Sequence, residues 1–391
     1  MLKKLVPNQG IPRPLLWVFA IVSGVAVANL YYSQPLLNMI SDDLQVSPFV
    51  ANLIPMFSQI GYAVGLLFII PLGDLYSKRK IIFICLSVLV ASLLMLSLSK
   101  QMHLILFMAA IVGTCSVMPH VFIPIASQYS KPERKTQNMG ILLSGLLTGI
   151  LASRVVSGIV GQHFGWRVMY GVAAVLMLLC ILLIWRVLPD MEVNFKGTYW
   201  QLMKTVFTLV RDNRTLRVVS IRAALCFGSL FCLWSTLAFK MSGAPFYANN
   251  DVIGLLGLCG IAGALTASVI GKYIHRYGTR CFHLLGCALM ILAWMLMYVF
   301  QYSYIGLIVG IIVVDAGMQC VQLSNQSCAL ALMPKATNRI NTIFMTTFFF
   351  GGALGTFLSG ICWNLYGWGG VVVCSLVLAG LSLSMTVFSK D

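Results

Sequence analysis

Long apolar runs alternate along the chain with short polar breaks. Runs of about 20 residues, the length a helix needs to cross a bilayer, fall near 14–40, 49–72, 80–99, 104–127, 139–162 and 167–188. They recur near 217–239, 251–271, 281–300, 305–331, 340–362 and 368–388. One longer polar stretch, 189–216, separates the two sets. The pattern predicts an all-α membrane protein of twelve transmembrane helices in two pseudo-symmetric six-helix bundles. The first bundle covers residues 1–188, the linker 189–216 and the second bundle 217–391.

In the linker, Trp200, Leu202, Met203, Val206, Phe207, Leu209 and Val210 interleave with Lys204, Arg211 and Arg214. That spacing suits an amphipathic helix lying on the inner membrane surface. The halves on either side echo one another. Without gaps, 132–166 repeats at a shift of 202 residues, so that Pro132, Gly149, Ser157, Gly158, Ile159, Gly165 and Trp166 become Pro334, Gly351, Ser359, Gly360, Ile361, Gly367 and Trp368. A weaker echo links Asp74-Leu75-x-x-x-Arg79 with His275-Arg276-x-Gly278-x-Arg280. Duplicated six-helix halves mark transporters that work by alternating access, with the substrate site between the halves.

Composition narrows the picture. Charged residues make up 9% of the chain and hydrophobic ones 59%, too little polar surface for a soluble enzyme, whose share of charge is nearer a quarter. The net charge of +16 could suggest nucleic acid, but topology accounts for it. With both termini inside, all but four of the 26 Lys and Arg residues fall on the cytoplasmic side, as the positive-inside rule requires. The exceptions are Lys100, Arg167 and Lys240 in outer loops and Arg154 inside the fifth run. The twelve cysteines lie mostly within apolar runs with no CxxC or metal spacing, so they read as small buried residues. A phosphate loop, a Ser-His-Asp arrangement and a metal cluster are all missing, which leaves ion gradients or the substrate's own gradient as the energy source. The expected chain is no enzyme and needs no cofactor.

Twelve spans, the repeat and the loop Pro71-Leu72-Gly73-Asp74-Leu75-Tyr76-Ser77-Lys78-Arg79-Lys80 resemble the major facilitator superfamily, whose loop between spans 2 and 3 follows G-x-x-x-D-R-x-G-R-R. Asp74, Lys78 and Arg79 fit that form, while Ile70, Leu75 and Ser77 replace Gly, Arg and Gly. The second copy, Gly271-x-x-x-His275-Arg276-x-Gly278-Thr279-Arg280, lacks the acid and the first paired basic residue. Ala28 to Leu36, Gln59-Ile60-Gly61-Tyr62, Asp315-Ala316-Gly317, Asn325-Gln326 and Gly351 to Gly355 are similar to a bacterial drug-efflux-like branch. Two departures stand out. The helix-4 arginine of that branch would fall near Ala109, and Ser153-Arg154-Val155-Val156-Ser157-Gly158 replaces its GPxxGG.

Two ionisable residues sit deep in apolar runs, Arg154 in the fifth and Asp315 in the tenth. A charge at that depth costs at least about 2.5–3.5 kcal/mol unless it is paired or faces water. The sequence therefore suggests a pair across the two halves that couples to protons; the alternatives are a fixed structural pair, two unpaired groups that each face cavity water, or, in uptake, Arg154 binding a substrate carboxylate instead of Asp315. Gln319, Gln322 and Gln326 follow Asp315 along one helix face and are expected to line the cavity, or else to bond neighbouring helices. Asn29, Tyr32, Gln59, Tyr62, His120 and Trp234 complete the expected substrate contacts. Phe227, Phe231 and Trp234 form a stripe at helical spacing that suits packing or lipid contact as well as a binding wall. Asp74, Lys78, Arg79, Arg276 and Arg280 are expected to form a gate at the inner side. The glycines of runs 5 and 11 suit close helix packing.

The function expected is proton-coupled efflux of a small amphipathic molecule across the bacterial inner membrane. The alternatives are proton-coupled uptake of a polar metabolite (an amino acid, organic acid or metal chelate), or a receptor or scaffold without turnover. The expected partners are a small-molecule substrate, protons and the lipid bilayer, with no nucleic acid, and the chain is expected to act as a monomer.

Overall fold

The computed structural model describes residues 5–189, 191, 198–333 and 336–388, apart from the side chains of residues 74, 264, 268, 271 and 275. Its regular elements are helices: α1 (Arg13–Ala28), α2 (Leu37–Leu44), α3 (Pro48–Leu75), α4 (Lys78–Leu98), α5 (Met102–Cys115), α6 (Met118–Tyr129), α7 (Lys135–Phe164) and α8 (Trp166–Val187). Then come α9 (Tyr199–Asp212), α10 (Arg214–Ser242), α11 (Asn250–Leu255), α12 (Gly260–Tyr277), α13 (Thr279–Val299), α14 (Tyr304–Leu332) and α15 (Thr337–Phe388). Short 3-10 turns occupy Gln34–Leu36, Pro132–Arg134 and Leu256–Cys259.

Ten segments among the described residues are long and apolar enough to cross a membrane, against the twelve expected. The difference has two local causes. First, α1 has only 16 residues, because the first apolar run stops being α-helical at Ala28. Asn29 there turns its amide back onto the carbonyls of Val25 and Ala26, 3.0 Å from each. Pro35, which lacks an N–H, then starts a 3-10 turn. Second, α15 runs for 52 residues, or about 78 Å, more than twice the hydrocarbon thickness of about 30 Å. It is divided by Gly367, whose φ of 59° and ψ of −149° are non-helical. The fourth run is also broken, between Cys115 and Met118, and the eighth between α11 and α12.

Two crossings hold the helices at unusually close range. In the first, α1 meets α7 through Gly24, Gly145 and Gly149. A Cβ on Gly149 would lie 2.2 Å from the Gly24 carbonyl oxygen. In the second, α10 meets α15 through Gly228, Gly351 and Gly355, and a Cβ on Gly355 would lie 2.1 Å from the Gly228 carbonyl oxygen. The echo of 202 residues holds for Gly165-Trp166 and Gly367-Trp368, which start the next helix in each copy. At the crossing the equivalence differs: Gly149 plays the part of Gly355, one helical turn beyond the Gly351 that the ungapped shift selects.

The linker helix α9 begins with a capping box, the Thr198 hydroxyl accepting from the Gln201 N–H while the Gln201 side chain accepts from the Thr198 N–H. Leu202, Met203 and Val206 are buried. The Tyr199 hydroxyl donates to the Phe68 carbonyl on α3 at 3.2 Å, and α9 also packs on α10 and α15. The apolar stripe read as a membrane-surface face is therefore divided: part seats on the bundle, and Trp200 and Phe207 stay exposed. Residues 190 and 192–197 of the linker lie outside the described residues.

At the opposite end of the molecule, Asp43 accepts from the Arg167 guanidinium and from the Trp166 indole N–H, the latter at 3.1 Å. The hydrogen bond from Arg167 holds the Asp43 carboxyl below its ordinary value. A depressed native pKa contributes stability above the ordinary carboxylate range and loses it as pH falls through the depressed value. Thermal unfolding in detergent from about pH 7 downward should therefore show an acid-side decline that is weaker in Asp43→Asn. At the crossings, Gly149→Val and Gly355→Val should each lower stability by about 1–3 kcal/mol through overpacking, read as a fall in the unfolding midpoint. The exposed Trp200→Ala should leave that midpoint unchanged.

Candidate functional site

The two halves of the chain meet along two seams, both built on a glycine facing an asparagine. On one side α7 meets α11. A Cβ on Gly158 would lie 2.4 Å from the Asn250 carbonyl oxygen, one on Gly254 would lie 2.5 Å from the Arg154 carbonyl oxygen, and the Gln162 side chain accepts from the Asn250 N–H at 3.0 Å. On the other side α3 meets α15. Asn52 donates to the Thr356 carbonyl at 3.0 Å and Gln59 to the Thr356 hydroxyl at 3.1 Å, while a Cβ on Gly360 would lie 3.0 Å from the Asn52 amide nitrogen. The α7–α11 contact is backbone on backbone and the α3–α15 contact is Gly360 on the Asn52 and Phe49 side chains. The molecule is shut at the ends of the helices remote from the loops rich in Lys and Arg.

Deeper in, the α10 stripe lies between the halves rather than against lipid: Phe227, Phe231 and Trp234 are all buried. Phe227 stacks on Phe348 of α15 with centroids 3.8 Å apart. Phe231 faces Tyr31 at 6.3 Å. The Arg154 guanidinium of α7 lies over Trp234, its carbon 3.8 Å from the ring centroid and 5.1 Å from that of Tyr31. Arg154 Nε donates to Gln34 Oε1 at 2.8 Å. Stacking and that bond fix the plane of the guanidinium while leaving its terminal nitrogens without a protein acceptor among the described residues.

Asp315 of α14 is buried beside Trp234, within electrostatic reach of Arg154. Arg154 stands ten residues from the end of α7 and Asp315 eleven from the start of α14, placing both about 15 Å below the shut end. Among the described residues no direct ion pair joins them; Arg154 is turned to Gln34 and Trp234 instead. Segment 254–260 covers them both. A Cβ on Gly257 would lie 2.8 Å from Arg154 Cβ, and one on Gly260 would lie 3.5 Å from Asp315 Oδ2.

Toward the basic loops a narrow cleft, partly open to solvent, lies between α3, α6, α9 and α15. Ile70, His120, Leu202, Val206, Arg339 and Thr342 are among its walls. Of the expected substrate contacts only His120 lines it. Tyr62 lies behind His120, with ring centroids 5.9 Å apart, and packs on Phe349 at 4.4 Å.

The remaining expectations divide. Gln59 bonds across the seam, as above. Gln326 donates to Asn341 at 2.8 Å, the interhelical alternative, whereas Gln319 and Gln322 are half-buried and make no hydrogen bond among the described residues. The amide of Asn29 serves its own helix, and Tyr32 packs beside Cys180 of α8. Its neighbour Tyr31 is the tyrosine that faces the other half. Among the gate residues, the side chain of Asp74 lies outside those described. Lys78 is buried against the cleft, Arg79 lies 5.9 Å from the Phe83 centroid, and Arg276 is exposed beside Tyr277. Arg280 donates to the Thr386 carbonyl within its own half at 3.2 Å. Sequence reasoning missed Gln34 as the partner of Arg154 within the first half, and Asn52 as a contact between halves. Each is a lone amide near or within an apolar run, which is the signal that could have found them.

Because both seams depend on absent side chains, Gly158→Leu and Gly360→Leu should each force the shut end open. The expected result is a longer distance between spin labels at the exposed positions 164 and 247, measured in detergent. An unchanged distance in both variants would mean that the seams are not what holds that end closed.

The pattern of the Major Facilitator Superfamily matches residues 16–356. The chain is 34% identical over 377 residues, 96% of each sequence, to a protein of Escherichia coli O157:H7 called "Uncharacterized transporter YgaY". Its fold is similar to a crystal structure of a point mutant of the nucleoside transporter NupG, with a TM-score of 0.78 at 16% identity over 96% of this chain and all of that one. It is also similar to the peptide transporter POT in complex with sulfate, at 0.77 and 15% over 98% and 95%. The chain therefore belongs to the Major Facilitator Superfamily and is a multi-pass membrane transporter with that fold.

Proposed function

We propose that the chain is a proton-coupled secondary transporter that moves a small amphipathic molecule by alternating access across the bacterial cytoplasmic membrane. In this reading both termini are cytoplasmic and the protein acts as a monomer. Residues 1–188 and 217–391 form two six-helix halves, α1 and the two parts of α15 counting as spans, and 189–216 ties them together. Asp74, Lys78 and Arg79 latch the inner side, with Arg276 and Arg280 as their counterparts. The drug-efflux-like stretches support export; the open terminal nitrogens of Arg154 favour uptake of a metabolite that carries a carboxylate.

One observation carries the reading: two opposite charges, one from each half, are buried at matched depth without a direct ion pair. Each balances the other electrostatically only while Asp315 is ionised. A proton on Asp315 leaves the Arg154 charge alone in a poorly solvated interior, which is costly unless another group answers it. Proton occupancy and substrate occupancy are thereby linked through one site. Movement of α7 and α11 apart would admit water to the pair from one side, and closure would return it to the other.

The test needs no substrate. In wild-type protein the distance between spin labels at positions 164 and 247 should change as pH is varied, since protonation alters the charge between the halves. Asp315→Asn, neutral at every pH, should hold one distance throughout. A pH response that survives unchanged in Asp315→Asn would overturn the coupling role. Wild-type protein without any pH response would favour a receptor or scaffold.

A further inference from the structure

The arrangement around Arg154 also bears on the substrate. Among the described residues three donors there have no protein acceptor: the two terminal nitrogens of Arg154 and the Nε2 of Gln34, a residue 2% exposed whose Nε2 is buried and unbonded. Arg154 Nε is already used by Gln34 Oε1, and the guanidinium face is already covered by Trp234. What remains is the fork of the guanidinium, a planar pair of N–H groups that matches a carboxylate in two parallel hydrogen bonds. Among the described residues Asp315 is the carboxylate that acts on Arg154, and it lies beyond ion-pair distance. Trp234, Tyr31 and Phe231 supply flat apolar walls beside the fork, and the bare backbone of Gly257 and Gly260 adds no bulk opposite.

Resting on the reading that Arg154 stands at the substrate site, we infer that the substrate is an organic anion, a carboxylate on a flat apolar body, held by Arg154 and Gln34. The charge count then sets the coupling. Empty, the site holds one positive and one negative group. A bound carboxylate adds a second negative charge, and a proton taken from water by Asp315 restores neutrality. Carboxylate and proton therefore bind together and travel in the same direction, as cotransport. An amine would do the opposite, displacing the proton from Asp315 and making exchange.

Purified full-length protein in detergent, titrated with benzoate, benzamide and benzylamine, tests this by thermal shift and by calorimetry in buffers of differing ionisation enthalpy. Benzoate should raise the unfolding temperature, more strongly as pH falls, with uptake of a proton, while benzamide and benzylamine should not. Arg154→Gln should weaken benzoate at least about tenfold, the loss expected for a charge-assisted bidentate bond. If that variant fails to fold, Gln34→Glu decides the matter. It places a permanent carboxylate beside Arg154 and should fold well yet refuse benzoate. Indifference of the wild-type protein to benzoate, preference for benzylamine, or undiminished benzoate binding in either variant would overturn the anion site. Benzoate binding that requires Arg154 but takes up no proton would leave the anion site standing and remove the proton-coupling reading alone.

Discussion

A guanidinium and a carboxylate held apart in a poorly solvated interior constrain everything around them. Burying either charge alone is costly, and the cost falls only with a counter-charge, hydrogen bonds or water. Arg154 meets the requirement with a stacked indole on its face and an amide on Nε, so its orientation is settled by the 3-10 turn at Gln34 and by α10 rather than by its own helix. Asp315 meets it through proximity to Arg154 and the Trp234 indole. Trp234 touches both ideas at once: its ring is the wall behind one charge and its edge the neighbour of the other. A site of this kind can change occupancy only when the two halves shift, because it belongs to both.

The seams make that shift an all-or-none matter. The Gly158–Asn250 contact brings backbones together where no side chain would fit, and Gly360 packs against the Asn52 and Phe49 side chains. Such contacts are either made or broken. Tight glycine crossings, α1 on α7 and α10 on α15, lock each helix pair together; in the proposed alternating-access cycle they would let each half move as a unit. The linker helix α9 supplies Leu202 and Val206 to the cleft wall, so in the proposed cycle closing the basic side would move α9 as well.

Much of this was legible from residue order. The apolar runs marked the long helices, since a bilayer demands a continuous apolar helix of one length, but not the end of α1 at Ala28 or the breaks in the fourth and eighth runs. Arg154 and Asp315 stood out because charges are rare in such runs, and the duplicated Gly-Trp at 165–166 and 367–368 exposed the repeat. Partner choice was harder. Gln319, Gln322 and Gln326 share one face by periodicity, yet Gln326 bonds Asn341 while its neighbours remain unbonded. Tyr31 and Tyr32 are adjacent and equally polar, but the turn after Ala28 sends one to Arg154 and the other to α8. Such outcomes depend on a rotation of a few tens of degrees about a helix axis or turn, which a linear pattern does not encode.

Residue order by itself determined an all-helical membrane chain, its duplicated halves, the asymmetry of its basic loops and the two buried charges, because each follows from how water and lipid treat side chains one at a time. Tertiary structure alone decided that Arg154 faces Gln34 and Trp234 rather than Asp315 directly, that the aromatic stripe of α10 points inward, and that α1 ends early. Those depend on the close approach of helices distant in sequence, where a missing methyl group or a borrowed hydrogen bond selects one packing among several of similar hydrophobicity.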